Sequence, residues 1–165
     1  MKNILIVIVS CFGFSFVAVG QNNDSIQLNQ ISLNTVNFPQ TESSIVSILG
    51  NPDSINNYYN EIDSENWLDY NYSGNSLYFF NTKLVDFELR NGNYYFINPN
   101  IKVGNSVVEV NVAFPNSYLK RRVVGGLGFV IINILMADGT LSDTFVVINY
   151  SISTNTITSI HLGEY

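Results

Sequence analysis

Two stretches of the chain space their polar and apolar positions alike. In residues 41–52 (TESSIVSILGNP) Thr41 is followed at the fourth place by Ile45 and at the eighth by Leu49. In residues 106–115 (SVVEVNVAFP) Ser106 is followed by Val110 and Phe114, each 65 residues further on. Apolar positions four apart behind a hydroxyl residue predict a short amphipathic helix. In the first stretch Thr41 suits the cap and Glu42 the positive helix end. Ile45, Ile48 and Leu49 make the buried stripe, and Gly50-Asn51-Pro52 the stop. A recurring spacing reads as two copies of one unit.

After each helix the period becomes two. Leu68, Tyr70 and Tyr72 point one way, and Trp67, Asp69 and Asn71 the other. Residues 73–76 turn the chain into a strand over 77–80, and 81–83 turn it again into 84–89. There Val85, Phe87 and Leu89 alternate against Asp86, Glu88 and Arg90. Asn91-Gly92 is a hairpin dipeptide before a fourth strand over 94–97, while 53–66 reads as an acidic loop. Beyond the second helix, 123–124, 129–136, 145–152 and 157–162 make a second meander. The expected fold class is α+β: two tandem helix-plus-antiparallel-meander units, 41–98 and 99–165, with the helices packed on one face of the sheet. Residues 21–40 form a flexible leader or an edge strand.

The N-terminus reads as an address. Met1-Lys2-Asn3 precedes the apolar run ILIVIVSCFGFSFVAVG, and Ala18 and Gly20 occupy the small-residue positions of a cleavage site. Residues 1–20 are thus expected to be a signal peptide, giving a periplasmic or secreted protein. A rival address is the lipobox-like Ile8-Val9-Ser10-Cys11, which would leave the chain lipid-anchored at Cys11. That cysteine is the only one, so a chain cleaved after Gly20 has no disulfide, thiolate catalyst or cysteine metal site. The later apolar run VVGGLGFVIINILM is too short and too glycine-broken for a membrane span.

With 46% hydrophobic and 12% charged residues the chain is built to bury a core. A net charge of −6 repels phosphate and argues against nucleic acid. The basic run Lys120-Arg121-Arg122 reads as a solvated turn between strands. Glu61, Asp63, Glu65 and Asp69 lack the spacing of a calcium loop.

Thr41, Ile45, Leu49, Gly50 and Pro52, followed by Trp67, Tyr70, Leu77, Phe79 and Val85, resemble the unit of the β-lactamase inhibitor protein (BLIP)-like superfamily, which also holds the SmpA/OmlA-type outer-membrane assembly lipoproteins. The resemblance implies tandem units over 41–162 in an exported bacterial protein. It carries no inhibitory residue with it.

Chemistry has little to work with. His161 is the only histidine, so any triad must use it, and a metal site with two histidines is excluded. Asp86 and Glu88 share a strand face at about 7 Å, a spacing open to acid–base work and equally to a polar outer face. Recognition is better supplied. With helices over Leu68, Tyr70, Val85 and Phe87, the other face carries Trp67, Asp69, Asn71, Asp86, Glu88, Ser159 and His161. Tyr78 and Phe80 join them if Leu77 and Phe79 face inward. Rigid rings among acids and amides suit protein contact. The expected function is a non-catalytic, cofactor-free module that binds another envelope or extracellular protein through Trp67, Asp69, Asn71, Tyr78, Phe80, Asp86, Glu88 and His161. The alternatives are an outer-membrane assembly factor, and a small hydrolase or ligand-binding protein using His161 or Asp86 and Glu88.

Overall fold

The computed structural model describes residues 23–164. The apolar N-terminal run, its cleavage site and Cys11 lie outside the described residues. Strand β1 (Ser25–Gln27) passes through a 3-10 turn into a small hairpin, β2 (Ser32–Leu33) and β3 (Val36–Asn37). Helix α1 (Glu42–Leu49) precedes four strands: β4 (Ser54–Asn60), β5 (Glu65–Tyr72), β6 (Asn75–Phe80) and β7 (Lys83–Leu89). A long connection leads to α2 (Val108–Ala113), α3 (Pro115–Leu119), β8 (Arg122–Val124), β9 (Leu127–Leu135), β10 (Leu141–Ser151) and β11 (Thr156–Glu164). Nine strands form one sheet in the order β1-β9-β10-β11-β7-β6-β5-β4, with β8 also on β9, and β2 and β3 pair with each other.

Two tandem helix-plus-meander units are not what this chain builds. It is mostly β, one mixed nine-stranded sheet with three short helices. β7 and β11 pair antiparallel through Leu89 with Ile160 and Glu88 with His161, so edges that two separate units would leave open are used on each other. β1 adds to β9 in parallel, a pairing no meander contains. α2 and α3 have only six and five residues, because Pro115, which has no N–H, ends one and opens the next.

Local corrections follow the same logic. Residues 94–97 stay out of the sheet: Tyr95 O accepts from the Asn34 N–H at 3.0 Å and the Ile97 N–H donates to Ser32 O at 2.9 Å, tying this segment to the β2–β3 hairpin. The expected loop over 53–66 contains β4, which pairs with β5 from Ser54–Asn71 to Asn60–Glu65. Register between β6 and β7 slips after Tyr78–Asp86, so Val85 is a bulge residue. Leu84 takes the buried place expected for Val85, while Phe87 and Leu89 keep theirs.

The core lies on one face of the sheet. α1 is capped by the Thr41 hydroxyl, which accepts from the Ser44 N–H at 3.4 Å, and ends at Gly50, whose φ of 84° favours glycine. Ile45 is fully buried, but Ile48 is 46% exposed, so the apolar stripe runs through Ile45 with Val46 and Leu49 at its margins. Two phenols hold the helix to β5: Tyr70 donates to the Glu42 carboxylate and Tyr72 to Gly50 O at 3.1 Å. Burial, then the bond to Glu42, pushes the Tyr70 hydroxyl up to about 12.

Ile31, Leu33, Val36 and Phe38 are buried in the same cluster, so the segment ahead of α1 is part of the core. Asp24 fastens its start. Its carboxylate accepts from the Ser117 N–H at 2.8 Å and the Asn116 amide at 3.0 Å. Its own N–H donates to Ser117 Oγ at 2.9 Å, and its carbonyl accepts from Asn133 N at 2.9 Å. Across the sheet, the buried Tyr150 ring lies over Gly128, its partner in register, where a Cβ would overlap the ring.

Urea unfolding of single variants checks this layout. Phe87→Ala is expected to cost about 3–5 kcal/mol and Gly128→Ala about 1–3 kcal/mol, while Ile48→Ala stays within about 0.5 kcal/mol. Equal losses at positions 48 and 87 would refute the assigned core face.

Candidate functional site

The sheet curls. Tyr58 of β4 and Thr144 of β10 line one cleft, although β5, β6, β7 and β11 lie between their strands. On a flat sheet five strand steps would separate them by about 24 Å. The face away from α1 is therefore concave.

At its centre sit three rings. Tyr58 and Trp67 oppose each other across β4 and β5 with ring centroids 6.1 Å apart; Tyr58 and Tyr78 are at 5.0 Å, and Trp67 and Tyr78 at 6.4 Å. Such spacings suit favourable aromatic contact. Trp67 is only 8% exposed, because Tyr58 covers it, and its Nε1–H donates to Glu65 at 3.3 Å. Beside the rings lie two clefts of about 230 and 210 Å³, both lined by Tyr58 and Asp86. Pockets that enclose small molecules usually hold about 300–1,000 Å³. These fit a side chain better than a metabolite.

The acids lie on the same face. Asp69, Tyr78 and Asp86 stand in one row across β5, β6 and β7, and Ser76, Glu88 and His161 in the next across β6, β7 and β11. Asp86 accepts from the Phe87 N–H at 2.6 Å, and Glu88 binds Arg90 at 2.5 Å. Two buried polar atoms, Asp69 Oδ1 and His161 Nδ1, have no hydrogen-bond partner among the described residues. The Tyr78 hydroxyl is pushed up by burial, against a hydrogen bond to Ser76, with Asp69, Glu88 and Asp86 adding to the rise. The surroundings of this phenol are thus electronegative.

Of the eight residues expected here, Trp67, Asp69, Tyr78, Asp86, Glu88 and His161 share this face around the rings and clefts. Asn71 works locally, its side-chain oxygen accepting from the Gly74 N–H at 2.9 Å in the β5–β6 turn. Phe80 is half-buried and lies outside the lining of both clefts. Tyr58, Val85 and Thr144 were missed. Tyr58 fell in the expected loop, and the Val85 bulge put that residue on the wrong face; the tyrosine pair at 58–59 was the one available strand signal.

Of the acidic residues considered for calcium, Asp63 accepts from the Asn60 amide at 2.9 Å and Glu65 from Trp67 Nε1–H at 3.3 Å. Among the described residues no helix is long and apolar enough to cross a membrane. The chain matches no family model, no curated protein and no solved structure.

Burial pulls the His161 imidazole below its ordinary value, with Glu88 opposing from the adjacent strand. A histidine depressed by folding contributes stability above about pH 6.5 that is lost as the pH falls below it, because the unfolded chain then binds the proton more readily. Between pH 7.5 and 5 the wild type is expected to lose more stability than His161→Gln, read as the difference in urea midpoints. Equal losses would show that His161 carries no such penalty.

Proposed function

We propose that this chain is an exported, non-catalytic module that binds another envelope or extracellular protein through the concave face. The signal-like N-terminus supports export. The observation that carries the binding reading is the ring trio of Tyr58, Trp67 and Tyr78 beside clefts too small to enclose a metabolite and well shaped for inserted side chains. Trp and Tyr contribute large contact area with few rotatable bonds, and so dominate interface energetics.

Charge narrows the partner. Asp69, Asp86 and Glu88 share the face with Arg90, which is bound to Glu88, so a surplus of negative charge remains. A partner presenting lysine or arginine gains both carboxylate and ring contacts. Catalysis finds little support in the geometry: Glu88 stands between Ser76 and His161 in their row, and His161 Nδ1 has no hydrogen-bond partner among the described residues.

The test uses Tyr58, which is 43% exposed, because truncating the buried Trp67 would also destabilise the fold. In pull-downs from envelope extracts, Tyr58→Ala is expected to lose a partner that the wild type captures, by about 2 kcal/mol or roughly 30-fold in affinity. Val112→Ala, at an 83% exposed position on α2, should keep it. Equal recovery by Tyr58→Ala and wild type, with matched unfolding midpoints, would refute the reading.

A further inference from the structure

The two ends of the sheet are treated differently. The outer edge of β9 is covered twice, by β8 along Leu127–Phe129 and by β1 along Asn133–Leu135. At the other end β4 is terminal, and no described strand lies outside it. Its sequence, SINNYYN, has none of the usual protections of an open edge: no charge, no proline and no bulge, with unbroken register to β5 over seven residues. Ile55, Tyr58 and Tyr59 are 53%, 43% and 54% exposed, so apolar surface flanks the bare backbone on both faces.

We propose that this edge pairs with the same edge of a second copy of the chain, antiparallel, about a twofold axis at Asn57. Ile55 then lies opposite the second copy's Tyr59, Asn56 opposite its Tyr58, Ser54 opposite its Asn60, and Asn57 opposite itself. Every pair joins residues of the same parity, so the N–H and C=O groups that β4 turns away from β5 meet their counterparts. An aliphatic side chain meets a ring on the core-side face and an amide meets a phenol on the concave face, with no like charges opposed. Centring the axis elsewhere leaves terminal residues unpaired.

A second copy fits better than a free extended peptide. The edge is already held straight by β5, so pairing two such edges orders little new chain. An uncharged strand also gives a charged peptide nothing to select. At the other end of the sheet the terminal strands β1 and β8 have only three residues each, and a twofold contact uses the β4 edge of both copies, so this pairing closes at two.

Sedimentation equilibrium of the purified full chain at low ionic strength tests the proposal. The wild type is expected to form a dimer. Asn57→Lys and Asn57→Asp, each placing like charges on the axis, should raise the dissociation constant about fivefold or more, and an equimolar mixture of the two should recover pairing. Asn57 is exposed and stands opposite Leu68 on the core-side face, so both variants leave the concave clefts intact. Circular dichroism unfolding confirms that each is folded. A wild type that stays monomeric up to about 100 μM, variants that dimerise like wild type, or a mixture that stays monomeric would each overturn it.

Discussion

The seam between β7 and β11 is the join on which the rest of the molecule depends. It is short, with Leu89 against Ile160 and Glu88 against His161, yet it makes one sheet of strands that would otherwise form two. Its two sides differ in chemistry. Leu89 and Ile160 are fully buried in a cluster that runs from Phe79 and Phe87 to Ile148, so cohesion comes from apolar area removed from water. Glu88 and His161 face the other way, and the seam thereby sets a carboxylate and an imidazole in the hollow of the curved sheet.

That hollow is preorganised in the sense that matters for binding. The rings of Tyr58, Trp67 and Tyr78 brace one another, and Asp86 and Glu88 are held by Phe87 N–H and Arg90. Groups already fixed lose little freedom when a partner arrives. The same face holds two buried polar atoms, Asp69 Oδ1 and His161 Nδ1, without a hydrogen-bond partner among the described residues, each a local cost to stability.

The sequence was legible where burial alternates along a strand. Tyr70 and Tyr72, and Leu77 and Phe79, lie on the face that a period of two assigns them, and Thr41 caps α1 over a buried Ile45. It was illegible where position is set by pairing. β4 is almost wholly exposed and carries no alternation, and the bulge at Val85 shifts parity within β7. Union of β7 with β11 is a long-range choice that no local spacing reports. The candidate face was therefore read with its acids and Trp67 in place, but without Tyr58, which lies in the strand the pattern hid.

The clamp at Asp24 bears on how the molecule comes together in time. The bonds of Asp24 go to residues 116, 117 and 133, and β1 pairs with residues 133–135. During biosynthesis this end emerges early, but its partners are made some hundred residues later, so it has no native docking place until β9 exists. Closing so distant a contact, and in parallel, is entropically slow. The start of the described chain is thus anchored to Ser117, 93 positions downstream, and it joins the sheet only once β9 is in place.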